Sequence, residues 1–485
     1  MMGFKLVDKS VGLISTLVLV RVLTPADFGL VAMGTAVLAL LELMGAFGFE
    51  SALIQRQNTE RRHFDTAWTF NVVLGVTVAS MLLILAAPAA GFYREPRLEL
   101  MLPALAVGAL VGAFENIGTV AFRKELDFRK EFKFLLLKRF AAVTVTITLA
   151  LIFRSFWALI AGAVVGKLAG VVISYCIHPF RPRLSLAAKG DLLHFSKWIF
   201  ISNLIAFLHN RSTDFILGRT VGSHGLGVYS VAAEIAAMPS SELIAPLNRA
   251  VYPAYARLAS AREKLQERFL EVFSIICLLA FPVAVGLYCV SDLAVNVLLG
   301  PQWKEAAPIM QIMGFCGLFS ALQSNMYLVI LAMGKPKANT CLSAALLALS
   351  LPVVIYASLH YGATGAAYAH LVSALVGFIG IVFVFSKVVG LLKRSLLAVM
   401  MRPMLASIAM ALALHGIVMW ASFYFPNFQP IAKLLLLVLA GASSYIVALV
   451  VGWIFAGKPA GAEKVMLDLA VQKIAALRGN RLGVL

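Results

Sequence analysis

Ionisable side chains inside long apolar segments are the residues of this sequence that could do chemistry. Lys167 lies in the run AGAVVGKLAGVV, and Arg211 and Asp214 lie three residues apart in a later apolar segment. A charge at the centre of a membrane helix costs about 2.5–3.5 kcal/mol unless it faces protein or water. Lys167 is therefore interpreted as a cation that lines an internal path, or as the structural partner of a buried acid. Arg211 and Asp214 share one helix face, so they form a self-contained ion pair or a pair that lines a cavity.

Carboxylates in apolar segments form a second group of candidates. A desolvated carboxyl group can load and release a proton near neutral pH, which suits the coupling of transport to protons. Each carboxylate can equally be the structural partner of Lys167 or Arg211. Glu234 and Glu242 are eight residues apart, so we expect them on one stripe of a helix. The candidate coupling carboxylates are Glu42, Glu115, Asp214, Glu234 and Glu242.

Uncharged polar side chains in the same apolar segments have two interpretations. They can bind sugar hydroxyls, or they can hold helices together by hydrogen bonds, which is the commoner role. These residues are Asn71, Asn116, Asn203, Asn210, Gln323, Ser324 and Asn325.

The segments that carry these residues must be membrane-spanning helices. Hydrophobic residues make up 61% of the 485 residues and charged residues 13%, against roughly 45–50% and 25% in soluble domains. Windows of apolar residues long enough to cross a bilayer predict about fourteen spans. The fold class is therefore an all-α polytopic membrane protein. The net charge of +18 does not indicate nucleic-acid binding, because the basic residues lie in short runs between apolar segments.

The distribution of positive charge predicts the orientation in the membrane. About four in five Lys and Arg residues lie in alternate loops on one side, which places that side and both termini in the cytoplasm. The apolar run Val11–Val20 is followed by no signal-peptidase site, so we expect it to be a retained first span. Apolar residues at helical spacing in the tail, 458–485, predict an amphipathic helix on the cytoplasmic membrane surface.

An internal repeat organises the spans. The hinge VRVLTPADFGLVAM at 20–33 is echoed by GRTVGSHGLGVYSV at 218–231, with the same spacing from arginine to glycine. A second pair of similar segments lies at 102–114 and 307–319. The repeat predicts two lobes of six spans each, related by a pseudo-two-fold axis along the membrane normal, with a substrate path between them. The predicted divisions are 1–177 for the first lobe, 178–197 for a cytoplasmic linker, 198–390 for the second lobe, 391–457 for two further spans and 458–485 for the tail.

The motifs of common enzyme classes are missing from the sequence. It contains no GxSxG, P-loop, HExxH or dinucleotide-binding fingerprint, so we do not expect an enzyme or a cofactor. The five cysteines are scattered through apolar segments without a CxxC pair, which indicates neither a metal site nor a disulfide framework.

Several segments resemble one transporter family. RVLTPADFGLVAM followed by FGFESALIQRQ, together with FRKELDFRKEF, LGRTVGSHGLGVYSVA and LLGPQWKEAAPIM, is similar to Wzx-like lipopolysaccharide and exopolysaccharide flippases. These form the polysaccharide transporter family of the multidrug/oligosaccharidyl-lipid/polysaccharide exporter superfamily. The resemblance implies alternating access in the bacterial inner membrane, which moves a polyprenyl-pyrophosphate-linked oligosaccharide from the cytoplasmic to the periplasmic leaflet. It also implies a central cavity lined by spans 1, 2, 7 and 8, which carry Arg21, Glu42, Arg56, Arg211, Asp214, Glu234 and Arg249.

The chemistry of such a cargo selects among these residues. A pyrophosphate is a dense anion, so the candidate substrate-binding cations are Lys167, Arg211, Arg21, Arg56, Arg219 and Arg249. Arg21 and Arg219 fall at corresponding places in the repeat on the periplasmic side, which favours a rim or gate role, and Lys167 and Arg211 are the central candidates. Besides the bilayer and the glycan, the expected partner is a polysaccharide polymerase or co-polymerase.

Other functions are weighed against this one. A flippase for a lipid-linked peptidoglycan precursor and a cation-coupled drug exporter belong to the same superfamily, but a drug exporter favours an acidic cavity, unlike one with Lys167 and Arg211. A membrane-embedded glycan polymerase or ligase works from a large outward loop, and the predicted outward loops are short. A non-transporting scaffold is the remaining alternative.

Overall fold

All of the regular secondary structure in the part of the chain that the structure describes is helical. The computed structural model describes residues 2–43, 53–54, 59–125, 127–188, 196–424 and 429–457. The helices up to the linker are α1 (Met2–Val22), α2 (Pro25–Glu42), α3 (Arg61–Tyr93), α4 (Leu98–Ala113), α5 (Val120–Lys124), α6 (Phe128–Phe153) and α7 (Trp157–Ile177). Those after it are α8 (Ser196–Thr220), α9 (Gly222–Pro239), α10 (Ala245–Leu258), α11 (Arg262–Ala294), α12 (Ala306–Ala332), α13 (Pro336–Val389), α14 (Lys393–Tyr424) and α15 (Pro430–Phe455).

The first hinge shows how local sequence sets a helix boundary. Asp27 N–H donates to Thr24 Oγ1 at 3.3 Å, and Asp27 Oδ2 accepts from Thr24 N at 2.9 Å. This reciprocal arrangement is a capping box, and Pro25 at the first helical position adds a backbone angle that suits a helix start. The predicted tight turn between two helices is therefore confirmed.

Most of the helices have the length and composition of membrane spans. Among the described residues, nine are long and apolar enough to cross a bilayer, or ten if the bent pair Leu98–Ala113 and Ile117–Lys124 forms one span. The 54 residues of α13 exceed the need of one span, and the helix is broken at Gly362, where φ is 64°. The prediction of an all-α, multi-span membrane protein is confirmed, and the number fourteen stays a prediction.

The chain forms two compact units. The first comprises Met1–Ser230 with Ser358–Ala366, and the second comprises Val231–Ala357 with Ala367–Leu485. In the second unit α11 packs against α12, α14 and α15, and the buried rings of Phe269, Phe273 and Phe385 fill its core. A π-helical turn at Ser240–Ile244 joins α9 to α10. The predicted lobe boundaries remain a prediction.

In the first unit α7 packs closely on α6 through a stripe of glycines. A Cβ atom at Gly162 would lie 1.7 Å from Thr146 Oγ1, and one at Gly166 would lie 2.9 Å from Ala142 Cβ. Only a residue without a side chain permits this approach, as is common where membrane helices pack. The small residues around Lys167 therefore serve close helix packing on this face of α7.

The start of the predicted linker is bound along the beginning of α3. The backbone amide of Arg183 donates to Asp65 Oδ1 at 2.9 Å, and that of Ser185 donates to Thr69 Oγ1 at 2.9 Å. The amide of Ala188 donates to Thr66 Oγ1 at 3.2 Å. The backbone amides of this extended segment are therefore satisfied by side chains of α3, whereas in a sheet they would bond to a neighbouring strand.

Candidate functional site

Lys167 lies halfway along α7 and has no hydrogen-bond or ion-pair partner in the described part of the chain. Its aliphatic stem packs on α4, since a Cβ atom at Gly112 would lie 2.9 Å from Lys167 Cδ. One side of α7 carries the glycine stripe, which faces α6, and another side carries Val164, which faces Gly108 of α4. Viewed along the helix axis, Lys167 lies between these two sides. The side chain is exposed, but it lies on a different arc of α7 from Trp157, Leu168 and Val172, the large apolar residues that this helix exposes. It therefore lies beside the contact of α7 with α4.

Glu115 and Lys138 form an ion pair one helical turn from Lys167. The distance from Lys138 Nζ to Glu115 Oε2 is 2.5 Å, and both side chains are 27% exposed. The pair lies against α7 at Gly170, where a Cβ atom would be 2.8 Å from Glu115 Oε2 and 2.9 Å from Lys138 Nζ. The alternative that Glu115 pairs with Lys167 or Arg211 is wrong, because its partner is Lys138. Its role in proton coupling stays a prediction.

Lys138 is a residue that the sequence reasoning missed. It was counted with the positive charges of the cytoplasmic loop, but α6 begins at Phe128, so Lys138 lies about three turns inside the helix. The signal in the sequence was FLLLKRF, a Lys-Arg pair flanked by apolar residues on both sides. The neighbouring Arg139 reaches α1, since a Cβ atom at Gly12 would lie 2.8 Å from Arg139 Nη2.

We call Glu115, Lys138, Arg139 and Lys167 the basic cluster. Its members carry three positive charges and one negative charge. Lys138 and Arg139 lie on α6 and Lys167 on α7, while Glu115 follows the end of α4. Electrostatic interactions are strong where protein and lipid lower the local dielectric constant. The cluster therefore offers a positive potential where α4, α6 and α7 meet, and among the described residues none pairs with Lys167.

Arg211 and Asp214 form the ion pair that their spacing predicted. Arg211 Nη1 lies 3.0 Å from Asp214 Oδ2, and the side chains are 45% and 14% exposed. Because the two charges compensate each other, this pair attracts an anion less than Lys167 does. The structure therefore brings these two predicted site residues together. Whether the pair lines a cavity or binds substrate stays a prediction.

The two hinges of the repeat meet in the first unit. A Cβ atom at Gly29 of α2 would lie 1.7 Å from the carbonyl oxygen of Ser223, and one at Gly227 of α9 would lie 1.8 Å from that of Pro25. Pro25 and Ser223, like Gly29 and Gly227, occupy equivalent positions of the repeat, so the contact is two-fold symmetric. We call it the glycine contact.

A second set of bonds holds the same end of the unit, and we call it the clasp. Arg219 Nη1 donates to the carbonyl oxygen of Phe92 at 2.8 Å, and its guanidinium lies over the Phe92 ring. Arg97 holds Glu95 by two bonds of 2.8 Å, and Ser223 Oγ donates to Glu95 Oε2 at 3.1 Å. The Arg97 guanidinium beside Glu95 lowers the pKa of that carboxyl below its ordinary value, so Glu95 is fully ionised in the clasp at neutral pH.

The remaining predicted site residues are spread over the chain. Arg21 ends α1 and is exposed, and Arg219 belongs to the clasp. Glu42 at the end of α2, Glu234 on α9, Glu242 in the π-helical turn and Arg249 on α10 are exposed. Arg56 lies outside the described residues. Their roles in binding or coupling stay predictions.

Most of the predicted polar residues that can be described hold helices together. In the second unit Asn325 Nδ2 donates to Asn248 Oδ1 and Asn248 Nδ2 donates to Ser324 Oγ, both at 2.8 Å, while Gln323 donates to the carbonyl oxygen of Ala374. The interpretation that these polar residues hold helices together is confirmed for Gln323, Ser324 and Asn325. In the first unit Asn116 Nδ2 donates to the carbonyl oxygen of Phe180 at 2.7 Å, which ties the segment after α4 to the linker.

Comparisons of sequence place the chain among polysaccharide biosynthesis proteins. A profile of the family described as "polysaccharide biosynthesis protein" matches residues 18–308. The lipopolysaccharide biosynthesis protein WzxC of Escherichia coli K12 is 24% identical over 384 residues, which are 78% of this chain and 77% of that protein. The succinoglycan biosynthesis transport protein ExoT of Rhizobium meliloti is 25% identical over 301 residues, 61% of this chain and 60% of that one.

Comparisons of structure concern the fold. The lipid II flippase MurJ in an inward closed conformation superposes with a TM-score of 0.73 at 12% identity, covering 93% of this chain and 98% of that chain. An inward-facing multidrug transporter of the MATE family gives 0.59 at 16% identity, with coverages of 79% and 95%. The fold is thus that of MurJ and MATE proteins. Because the sequence profile matches more than half of its length, the chain belongs to the family of polysaccharide biosynthesis proteins.

Proposed function

We propose that this protein is a flippase for a polyprenyl-pyrophosphate-linked oligosaccharide used in exopolysaccharide or lipopolysaccharide biosynthesis. It moves this lipid from the cytoplasmic to the periplasmic leaflet of the bacterial inner membrane by alternating access. The observation that carries the proposal is Lys167, a cation midway along a membrane-spanning helix, with no partner among the residues that the structure describes. The family, and the relative whose name describes a transport protein for succinoglycan biosynthesis, supply the class of cargo.

Lys167 suits the anionic part of such a cargo. A lysine ammonium binds phosphate as a point charge, and a charge-assisted hydrogen bond is about twice as strong as a neutral one. An unpaired cation in a membrane helix is costly, so its retention favours a role in binding. The glycan needs polar surroundings, while the polyprenyl chain can stay in the bilayer.

The glycine contact and the clasp support alternating access. They hold together α2, α3, α8 and α9 at the end of the first unit where the hinges lie. The charge distribution of the sequence supports a periplasmic position for this end, with both termini in the cytoplasm. In this proposal the described conformation is closed toward the periplasm, and release of the cargo requires the contact and the clasp to separate.

The proposal is tested by translocation in proteoliposomes that contain a fluorescent polyprenyl-pyrophosphate oligosaccharide. We expect Lys167→Met to slow translocation by about 10-fold or more, since hydrogen bonds to charged groups contribute about 1.5–3 kcal/mol. Lys167→Arg, which keeps the charge, should retain most of the activity. Lys433→Met, at the start of α15, is the matched control. Wild-type rates for Lys167→Met would overturn the role of this cation.

A lipid-linked peptidoglycan precursor is the second cargo to compare with the polysaccharide precursor in this assay. It also carries an anionic diphosphate, so the basic cluster alone does not distinguish the two. Faster translocation of the peptidoglycan precursor than of any polysaccharide precursor would assign the protein to cell-wall synthesis instead.

A further inference from the structure

The carboxylate of Glu115 is bound to Lys138 and lies about one helical turn from the side chain of Lys167. Successive contacts show α4 and α7 running side by side: Gly108 faces Val164, Gly112 faces Lys167 and Glu115 faces Gly170. Three residues advance a helix by about 4.5 Å. The stem of Lys167 and the carboxylate of Glu115 are therefore separated by about one turn, a gap that a lysine side chain can span by changing its rotamer.

Lys138 holds the carboxylate in the described structure. Its Nζ lies 2.5 Å from Glu115 Oε2. Gly170 makes room for this pair, because any Cβ atom there would contact both Glu115 Oε2 and Lys138 Nζ at less than 3.0 Å. The backbone of α7 thus fits the pair of Glu115 with Lys138, and Lys167 remains unpaired in the described part of the chain.

We propose that Lys138 is a positioning residue that keeps Lys167 available to the cargo by occupying Glu115. Without Lys138, Glu115 keeps its negative charge in the same place and pairs with Lys167, which cancels the positive potential where the phosphate binds. The ligand chemistry is that of a phosphate or diphosphate ester. This inference rests on the proposed function for its transport consequence, but the pairing itself is independent of transport.

The test compares Lys138→Met, Glu115→Gln and the double variant in the full-length protein. The first measurement is the acylation of Lys167 by a small amine-selective reagent, quantified by mass spectrometry of the peptide that contains it. We expect Lys138→Met to lower the acylation of Lys167 several-fold, because an ion pair protects the amine. The double variant should restore it, since no carboxylate remains, and Glu115→Gln alone should leave it at the wild-type level or above.

The second measurement is translocation of the lipid-linked oligosaccharide. We expect the translocation rate of Lys138→Met to be about 10-fold below that of the wild type, as for Lys167→Met. The rate of the double variant should return toward the wild-type value. A purely structural role for Lys138 predicts instead that the double variant is as impaired as the single one, and that result would overturn the proposal. Unchanged acylation of Lys167 in Lys138→Met would overturn it as well.

The charge-reversed variant Glu115→Lys/Lys138→Glu keeps the test decisive if Lys138→Met does not fold. It retains an ion pair at Gly170, so it should fold and leave the acylation of Lys167 at the wild-type level. Protection of Lys167 from acylation in this variant would contradict the proposal. If acylation follows the expected pattern while no variant and no wild-type protein moves the cargo, the pairing stands and the proposed function fails.

Discussion

Replacing Gly29 by alanine should open the end of the first unit that the glycine contact closes. The new Cβ atom would lie 1.7 Å from the carbonyl oxygen of Ser223 and 2.8 Å from the amide nitrogen of Gly227. Both obstacles are backbone atoms, so no side-chain rotation relieves the overlap. The helices α2 and α9 must move apart instead.

The size of the effect follows from the overlap. Overpacking of this kind costs about 1–3 kcal/mol. If that cost falls on the closed conformation alone, it shifts the equilibrium toward the open one by about 5- to 150-fold. Gly227→Ala should act with similar strength, because its Cβ atom would lie 1.8 Å from the carbonyl oxygen of Pro25. The double variant should be less than additive, since one separation of the helices relieves both overlaps.

The assay is the rate at which a membrane-impermeant thiol reagent labels a cysteine at Met33. Met33 lies on α2, is fully buried and touches Gly218 of α8. In a background without the five native cysteines, Met33→Cys should react slowly, and adding Gly29→Ala should accelerate labelling by a factor in the range above. Gly91→Ala is the control, because Gly91 lies near the same end of the unit and a Cβ atom there meets nothing within 4 Å.

One result would refute this reasoning directly. If Gly29→Ala and Gly227→Ala label like Gly91→Ala and translocate at the wild-type rate, the glycine contact does not have to separate during transport. A loss of protein from the membrane would show instead that the contact is needed for folding, so the amount of inserted protein is measured in parallel.

The remaining predictions concern charge and stability. Glu95 has a lowered pKa because Arg97 bonds it, so its contribution to the clasp is complete well above the ordinary value of 4.5 and is lost as pH falls through the lowered pKa. The labelling rate of Met33→Cys is divided at each pH by the rate for the same cysteine in denatured protein, because only the thiolate reacts. This ratio should be constant between about pH 8 and 6 and rise only in acid, and a rise near neutral pH would contradict the assignment. Asn325→Ala should destabilise the protein by about 1–3 kcal/mol in detergent unfolding, because it leaves Asn248 Oδ1 buried without its donor, and an unchanged midpoint would show that this bond contributes little.

Features set by local sequence were predictable, and those set by distant contacts were not. The turn at Thr24–Asp27 was predictable because its capping residues bond each other within one turn. The repeat revealed the equivalence of Gly29 and Gly227, but their direct contact depends on how α2 and α9 pack. The binding of the linker to Asp65 joins residues 118 positions apart, and no local pattern marks it.

The candidate site was predictable in part. Lys167 stood out because a charge in a run of small apolar residues is rare, and the structure leaves it unpaired in the described part of the chain. Lys138 was missed because counting positive charges near a span end does not show where the helix begins. The partner of Glu115 follows from the side-by-side packing of α4, α6 and α7, which sequence spacing does not determine.

The most direct test of the central claim is translocation by the purified wild-type protein of a polyprenyl-pyrophosphate-linked oligosaccharide, with the lipid products identified by mass spectrometry. Protein-containing vesicles should equalise the labelled lipid between leaflets much faster than empty vesicles, and the glycan of that lipid should keep its mass. Translocation no faster than in empty vesicles, or a glycan lengthened by further sugar units, would contradict the assignment of this protein as a flippase.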